Sequence, residues 1–457
     1  MDLKEARALL KDAQADSVRL VMIDLNGTPR GKRVPLAKFF SACEHGAGYC
    51  SGHYTSTLDS AVIPELPTVG FSTGFPDIVA WPDLETLALL PWDDGAAWVI
   101  CDLREADGSE VPFDPRTMLK RQIERLAARN LKVIAGLEYE FYVFRETPTS
   151  LRQKKWAAAD FEPLFYGNGV YDQVRLGQAG PWMTDIWRHL PAAGVELEAG
   201  HMEMGGGHVE YPIGPSEALA AADRAVLFKV GVKEICRAHG LLATFMAKID
   251  QDYEGLSGAL HHSLVDTAGR NLFHDPKRPA SLSETFEHWC EGLLTNLSDS
   301  TLIFLPIINS YKRPLPGSFV GNSTTWSVES RATTLRAINF EPQATRIENR
   351  LPGSDANPYL VLAAHLAAGL YGLEQKLKLR PPFIGADPAF DDLGREDVAY
   401  IPNSMDKAIE EFEASPRMVE FFGPEFCQTF VAHRRSELES LRGLVADWER
   451  AHYLEYA

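Results

Sequence analysis

Apolar positions along the chain follow two periods, and the changes between them mark the elements. "MDLKEARALLKDAQADSVRL" carries apolar residues at helical spacing among acids and bases, which predicts an amphipathic helix rather than a secretory signal. "SVRLVMIDLNGTPRGKRVP" is an apolar run, an Asn-Gly turn and a basic return, the pattern of a hairpin. From Ala42 to Gly74 the chain is rich in Gly, Ser, Thr and Pro, with short strand-like pieces, before "DIVAWPDLETLALLPW" and the strand "AWVICDL". A polar break follows at "READGSEVPFDPR" (Arg104 to Arg116), and a domain boundary is expected there, with units 1–108 and 109–457. Helical spacing returns in "TMLKRQIERLAARN", in "GPSEALAAADRAVLFKVGVKEICRAHG" with a start at Pro215 and Ser216, in "LSETFEHWCEGLLTNL" and from Ser404 onward. There is no regular βαβ alternation and no internal repeat, so the expected class is α+β with a small β-rich N-terminal domain.

One strand-like stretch breaks the apolar pattern. "GLEYEFYVF", Gly136 to Phe144, sets Glu138 and Glu140 two residues apart, so both carboxylates share one face and Leu137, Tyr139 and Phe141 the other. Adjacent anions in an apolar setting repel and are costly to desolvate. That face is either solvated or met by something positive.

Composition narrows the classes. The 457 residues are 45% hydrophobic and 24% charged, the profile of a globular protein with a sizeable core. A formal net charge of -18 argues against a nucleic acid or an anionic membrane as partner, although local arginines still permit an anionic substrate. Six cysteines without a CxxC pair read as reduced cytoplasmic thiols. The longest apolar stretch, Tyr359 to Leu373, is too short to span a bilayer and reads as a buried helix.

Downstream, "VELEAGHMEMGGGHVEY" sets Glu203 and Glu210 on either side of a triple glycine, whose tight bend lets the two carboxylates converge. A glycine-rich hairpin with exposed acids is the alternative. Segments dense in Gly, Pro, Ser and Asn then bring Arg313, Arg331, Arg336, Arg346 and Arg350, which suit anion clamps as well as exposed loops. Oxygen ligands favour Mg²⁺ or Mn²⁺, such metals bridge nucleotide phosphates, and guanidinium groups offset the charge of a transferring phosphoryl group.

In order and wording these segments resemble the glutamine synthetase family. The likeness runs from "IDLNGTPRGKRVP" through "PDLETLALLPW", "DPRTMLKR", "EYEF", "EAGHMEMGGGHVEY", "NSYKR", "SRATTLR" and "RIENRLPGSDANPYL" to "IPNSMDKAIEEF". It implies a small β-grasp-like N-terminal domain on a larger catalytic domain with a curved antiparallel sheet and helices. It also implies a ring-shaped homo-oligomer with active sites between subunits. By position in the motifs, Glu140, Glu203 and Glu210 are expected at a first divalent metal, and Glu138 and Glu348 at a second. Glu198, His261 and Ser263 are expected at ATP, Arg331 and Arg336 at the transferred phosphoryl group, and Arg313, Arg350 and Gly255 at glutamate. The implied reaction phosphorylates the γ-carboxylate of glutamate with ATP, and an amine then displaces phosphate.

The chain departs from the family pattern in three places. "GLSGALHHSL" aligns without a gap so that Ala259 stands at the metal-binding histidine, leaving the second site without its nitrogen ligand and His262 as a packed or surface residue. His208 replaces the glutamine of the family's "GPGQxE". In the flap, "LPGSFVGN", Phe319 occupies the position of a glutamate that contributes to the ammonium pocket. A phenyl ring there favours a primary organic amine over ammonia. Asp59, in "STLDSAV", matches loosely the aspartate that accepts the amine proton. The leading expectation is a γ-glutamylamide-forming ligase; an ordinary glutamine synthetase and a catalytically impaired assembly protein are the alternatives.

Overall fold

The computed structural model describes residues 1–315, 318–384 and 399–455, so Pro316 and Gly317 of the expected flap lie outside the described residues. The first helix is Leu3–Asp12, and its start is local chemistry: the Asp2 side chain accepts from the Glu5 N–H while the Glu5 carboxylate accepts from Asp2 N–H. The hairpin forms as read, Ser17–Ile23 against Pro29–Pro35, joined by a turn in which Gly27 has φ +78°. These strands belong to a six-stranded sheet ordered Pro29–Pro35, Ser17–Ile23, Ala96–Arg104, Asp77–Pro82 and Ala47–Cys50, with Ala88–Leu89 on Ala96–Arg104. Ser17–Ile23 runs parallel to Ala96–Arg104 while the other pairs are antiparallel, the mixed pairing of a β-grasp-like sheet.

A second, nine-stranded sheet holds the stretch with the paired glutamates. Its order is Trp326–Val328, Leu335–Ile338, Arg346–Asn349, Gly258–Asp266, Leu131–Phe144, His208–Pro212 and His201–Met202. The central strand, Leu131–Phe144, is long enough to take two partners in succession along each edge. Gly258–Asp266 and then Leu242–Thr244 pair with one edge, Ser216–Glu217 and then His208–Pro212 with the other. Period-two alternation divides its faces. Leu137, Tyr139 and Phe141 are buried, and the rings of Tyr139 and Phe141 pack with Tyr211, Phe228 and Phe245 against helix Ala218–Ala238. Glu138 and Glu140 point the other way.

The helix expected from Pro215 begins at Ala218 instead, because Ser216 and Glu217 pair with Ala135 and Ile134 of the central strand. The apolar stretch around Tyr359 forms the buried helix Pro358–Gln375, and among the described residues no helix is long and apolar enough to cross a membrane. All six cysteines are free thiols. His262 lies in the core, accepting from Trp289 Nε1 at 2.9 Å.

Two polar junctions tie the first sheet to the rest. Arg116, near the start of helix Pro115–Ala127, is 2% exposed and meets three carboxylates. Its Nη2 lies 2.7 Å from Asp83 and 2.9 Å from Asp223, and its Nη1 bonds Asp102. Tyr359 OH completes the set on Asp223. At the second junction Arg434 donates to Asn26 Oδ1 at 2.7 Å, and Asn357 Nδ2 donates to the Asp24 carbonyl at 3.1 Å.

Removing one partner from a buried ion cluster leaves charges without compensation, a loss of about 3–5 kcal/mol. Arg116→Met is therefore expected to lower stability by about that amount, because three half-buried carboxylates then face one another. Differential scanning calorimetry reads the result, and an unchanged melting temperature contradicts this role for Arg116.

Candidate active site

The sheet register assembles the site. One row across the strands reads Arg336, Glu348, His261 and Gly136; another reads Glu140, Glu210 and His201. Residues far apart in sequence thus share one face because each is a partner in a ladder, and a one-residue slip would turn any of them into the core. Glu203 follows in the turn after His201–Met202, its N–H donating to the His208 carbonyl at 2.9 Å. The triple glycine makes that turn possible. Gly207 has φ +107°, and a Cβ there would lie 2.3 Å from the Val143 carbonyl oxygen.

Two histidine–acid groups result. His201, Glu203 and Glu210 offer ligand atoms within 4.8 Å of one another, and so do Glu138, His261 and Glu348. His201 Nε2 lies 3.0 Å from Glu203 and 3.4 Å from Glu210. His261 Nε2 lies 2.7 Å from Glu138, while its Nδ1 accepts from Arg346 Nε at 3.2 Å, so the ring proton faces Glu138. A cation held here would take the place of that proton.

The geometry differs from two expectations and locates the replacement at His208. The second acid pair does not lack a nitrogen donor: with Ala259 directly across from Glu138, the ring of His261 reaches that carboxylate diagonally, with no strand slip. Glu140 stands opposite Glu210 in the ladder but turns its carboxylate to Ser257 N–H at 2.6 Å and toward His208 Nε2 at 3.4 Å, outside the first group. His208 is packed, stacked on Tyr142 with its Nδ1 on the Met204 carbonyl.

The electrostatics follow from crowding. Burial raises the Glu210 carboxyl far above the usual carboxylate range, and the neighbouring Glu138, Glu140 and Glu203 add to the rise. Burial acts in the same sense on Glu138, but hydrogen bonds from His261 and Glu210 win and hold it below the usual range. Glu348 is likewise held down against its burial by His261, Arg350 and Arg336. Crowded by Glu138, Glu140 and Glu203, Glu210 favours its protonated form, and a divalent cation would displace that proton. An acid set of this kind, with two imidazoles, fits hard divalent ions.

Two cavities meet over this face. One, about 430 Å³, is lined by Glu138, Glu140, Glu203, Glu210, Ala259, Gly255 and Arg350, with Val170, Tyr171, Phe319 and Val320 forming an apolar wall. The other, about 610 Å³, is lined by Glu198, His261, Ser263 and Arg346 together with Ile134, Ile213, Ile338 and Phe340. Glu138, Arg331 and Arg336 line both. The structure therefore brings Glu198, His261 and Ser263 together at one cavity and Gly255, Arg350 and Phe319 at the other, with Arg331 and Arg336 between.

Arg313 and Asp59 fall elsewhere. Arg313 is 1% exposed, lies behind Gly255 rather than on the cavity wall, and donates to the Leu351 carbonyl. A Cβ on Gly255 would meet Arg313 Cγ at 2.3 Å, which is why glycine stands there. Burial pulls the Arg313 guanidinium down to about 10, although Asp355 and Glu140 oppose it, and its Nε and Nη1 have no hydrogen-bond partner among the described residues. Asp59 is exposed in a turn held by Thr57 and does not line the cavity of its own chain. Sequence reasoning missed His201 and Tyr171, whose rings pack 4.6 Å apart at the first group. The signal for His201 was available: it precedes Glu203 by two residues, the strand period.

Comparison with known proteins adds a second line of observation. The family described as "Glutamine synthetase, catalytic domain" matches residues 112–453. The chain is similar to glutamate–isopropylamine ligase of Pseudomonas sp, 34% identical over 453 residues, covering 99% of this chain and 97% of that protein. It is similar also to gamma-glutamylethanolamide synthetase GlnA4 of Streptomyces coelicolor, 34% identical over 453 residues, covering 98% and 95%. Among solved structures it resembles GmaS without ligand, with TM-score 0.84, 27% identity and 99% of each chain covered. GmaS in complex with ADP matches with the same TM-score and identity over 98% of each chain.

Because Glu210 keeps its proton until a cation arrives, binding must release it, and apparent affinity for Mn²⁺ should rise with pH across the neutral range. Titration calorimetry in buffers of different ionisation enthalpy measures that proton. Heats independent of the buffer would contradict it.

Proposed function

We propose, from the premise that the chain belongs to the glutamine synthetase family and is a carbon–nitrogen ligase, that it joins the γ-carboxylate of glutamate to a primary organic amine, consuming ATP. Relatives named for ligating isopropylamine and for making an ethanolamide, matched over nearly the whole chain, support an organic amine over ammonia. The observation that carries the reading is the junction of two cavities at Arg331, Arg336 and Glu138, with Phe319 on the wall of one of them. Family members of this type use ATP and divalent metal ions. Mg²⁺ or Mn²⁺ is our assignment here, from the oxygen-rich donor set.

In this reading the nucleotide occupies the cavity of Glu198, His261 and Ser263, where Phe340 and the isoleucines give an apolar bed for a base. Glutamate occupies the other cavity, its carboxylate met by Arg350, while Arg313 braces the Gly255 loop from behind. Glu203 and Glu210 with His201, Glu138 and Glu348 with His261, and Glu140 beside them would hold divalent cations, which would neutralise phosphate charge. Arg331 and Arg336, at the junction, offset the charge on the phosphoryl group as it passes from ATP to the γ-carboxylate oxygen. The amine nitrogen then attacks the acyl carbon, the carbon–oxygen bond breaks and phosphate leaves. The walls keep water from the acyl phosphate meanwhile.

The amine loses a proton in this step, and Asp59 is our candidate to accept it. It reaches the cavity only if another copy of the chain carries its turn there, so a ring-shaped homo-oligomer with shared sites belongs to the proposal. We place the protein in the cytoplasm and read residues 1–108 and 109–457 as its N-terminal and catalytic units.

Two experiments test this. Phosphate release with glutamate and ATP, across ammonia, alkylamines and arylamines, should give its highest kcat/KM with an organic amine. An amine substituent gains roughly 25 cal/mol per Å² buried against the Phe319 wall. Phe319→Glu should shift preference toward ammonia; equal use of ammonia by the wild type refutes the reading. For the shared site, inactive Asp59→Ala and Arg336→Ala chains, unfolded and reassembled together, should regain about a quarter of wild-type turnover by random mixing. No recovery would place the proton acceptor elsewhere.

A further inference from the structure

Arg336 is the side chain on which the phosphoryl step of this reading turns, and its position is held from two sides. Nη1 donates to Glu348 Oε2 at 3.0 Å and Nη2 to Glu329 Oε2 at 2.8 Å, while the buried Nε has no partner among the described residues. The two anchors are not equivalent. Glu348 also takes Arg350 Nη1 and belongs with Glu138 and His261 to a group able to hold a cation, so its lone pairs are contested. Glu329 lines neither cavity and, among the described residues, pairs with no second cation.

The backbone at Glu329 is unusual for its residue type. Strand Trp326–Val328 runs parallel to Leu335–Ile338 and ends with Val328 beside Ala337. Glu329 then adopts φ +56°, in the left-handed region that a non-glycine residue rarely enters. Its N–H donates to the Ala337 carbonyl at 2.9 Å, and its Oε1 accepts from Asn339 N–H at 3.3 Å. A glycine would adopt this conformation without strain. A glutamate that persists there is held by what its carboxylate does.

We propose that Glu329 is a positioning residue that keeps the Arg336 guanidinium aimed at the junction of the two cavities when a cation claims Glu348. The proposal rests on the reading of Arg336 as the phosphoryl-stabilising arginine.

Glu329→Gly and Glu329→Gln separate this role from a structural one. The glycine relieves the backbone and removes the anchor; the glutamine keeps an acceptor for Nη2. Glu329→Gly should melt at or above the wild-type temperature yet lose about tenfold or more in kcat, with KM for ATP and glutamate within about threefold, as misplacement of a charge-stabilising group predicts. Glu329→Gln should recover most of that kcat. A second readout needs no amine and no turnover: affinity for inorganic phosphate in the presence of ADP and Mn²⁺, by calorimetry, should fall about tenfold in Glu329→Gly. If the wild type turns over no amine but this affinity falls, the functional reading fails and the positioning role stands. Wild-type kcat or phosphate affinity in Glu329→Gly overturns the proposal. A kcat loss accompanied by a lower melting temperature, or a glutamine variant as slow as the glycine one, overturns it as well.

Discussion

Glutamates crowded on one face of one sheet set the terms for everything built around them. Glu138, Glu140, Glu203, Glu210 and Glu348 lie close enough that Glu210 retains a proton, and each of the others leans on a specific donor. Such a face is unstable by itself, since like charges repel and burial deepens the cost. The sheet tolerates it because its opposite face is a fully buried aromatic layer, Tyr139, Phe141 and Tyr211 against Phe228 and Phe245. Packing on one side thus offsets electrostatic stress on the other, and that stress is what a cation and a polyphosphate relieve.

Register turns this balance into geometry. Arg336, Glu348 and His261 come from strand positions up to 87 residues apart in the chain, yet stand in one row as ladder partners. The same ladders set the two cavities side by side, so that Glu138, Arg331 and Arg336 belong to both. A ligase that activates an acid with ATP needs this adjacency, because the phosphoryl group must move a short way in a place shielded from water. Apart from Glu203, in the turn after His201–Met202, the acid frame sits on strands, which are rigid. The apolar wall of the first cavity, Val170, Tyr171 and Phe319, sits on connecting segments, where substitutions least disturb the frame. Relatives named for different amines are consistent with that division of labour.

The N-terminal sheet is joined to this frame by ion clusters rather than by one apolar seam alone. Arg116 gathers Asp83 and Asp102 from one side and Asp223 from the other, and Arg434 reaches Asn26 across a second junction. Directional contacts of this kind fix orientation more tightly than apolar burial does. The turn bearing Asp59 lies outside the lining of the cavity of its own chain.

The sequence by itself determined the local structure and the list of participants. Alternation across Gly136 to Phe144 assigned one face to acids and one to the core, Asn26-Gly27 defined the hairpin, and motif order carried the resemblance and with it many of the residues that line the two cavities. These are short-range properties, decided by side-chain period and turn chemistry. Only the tertiary structure decided where side chains end. His261 reaches Glu138 diagonally across a ladder, Arg313 sinks behind Gly255, and Glu140 turns from Glu210 to Ser257. Glu329 bends its backbone to hold Arg336. Each depends on a neighbour supplied by a distant strand or loop, and the direction of a long side chain is set by such neighbours rather than by its place in a motif.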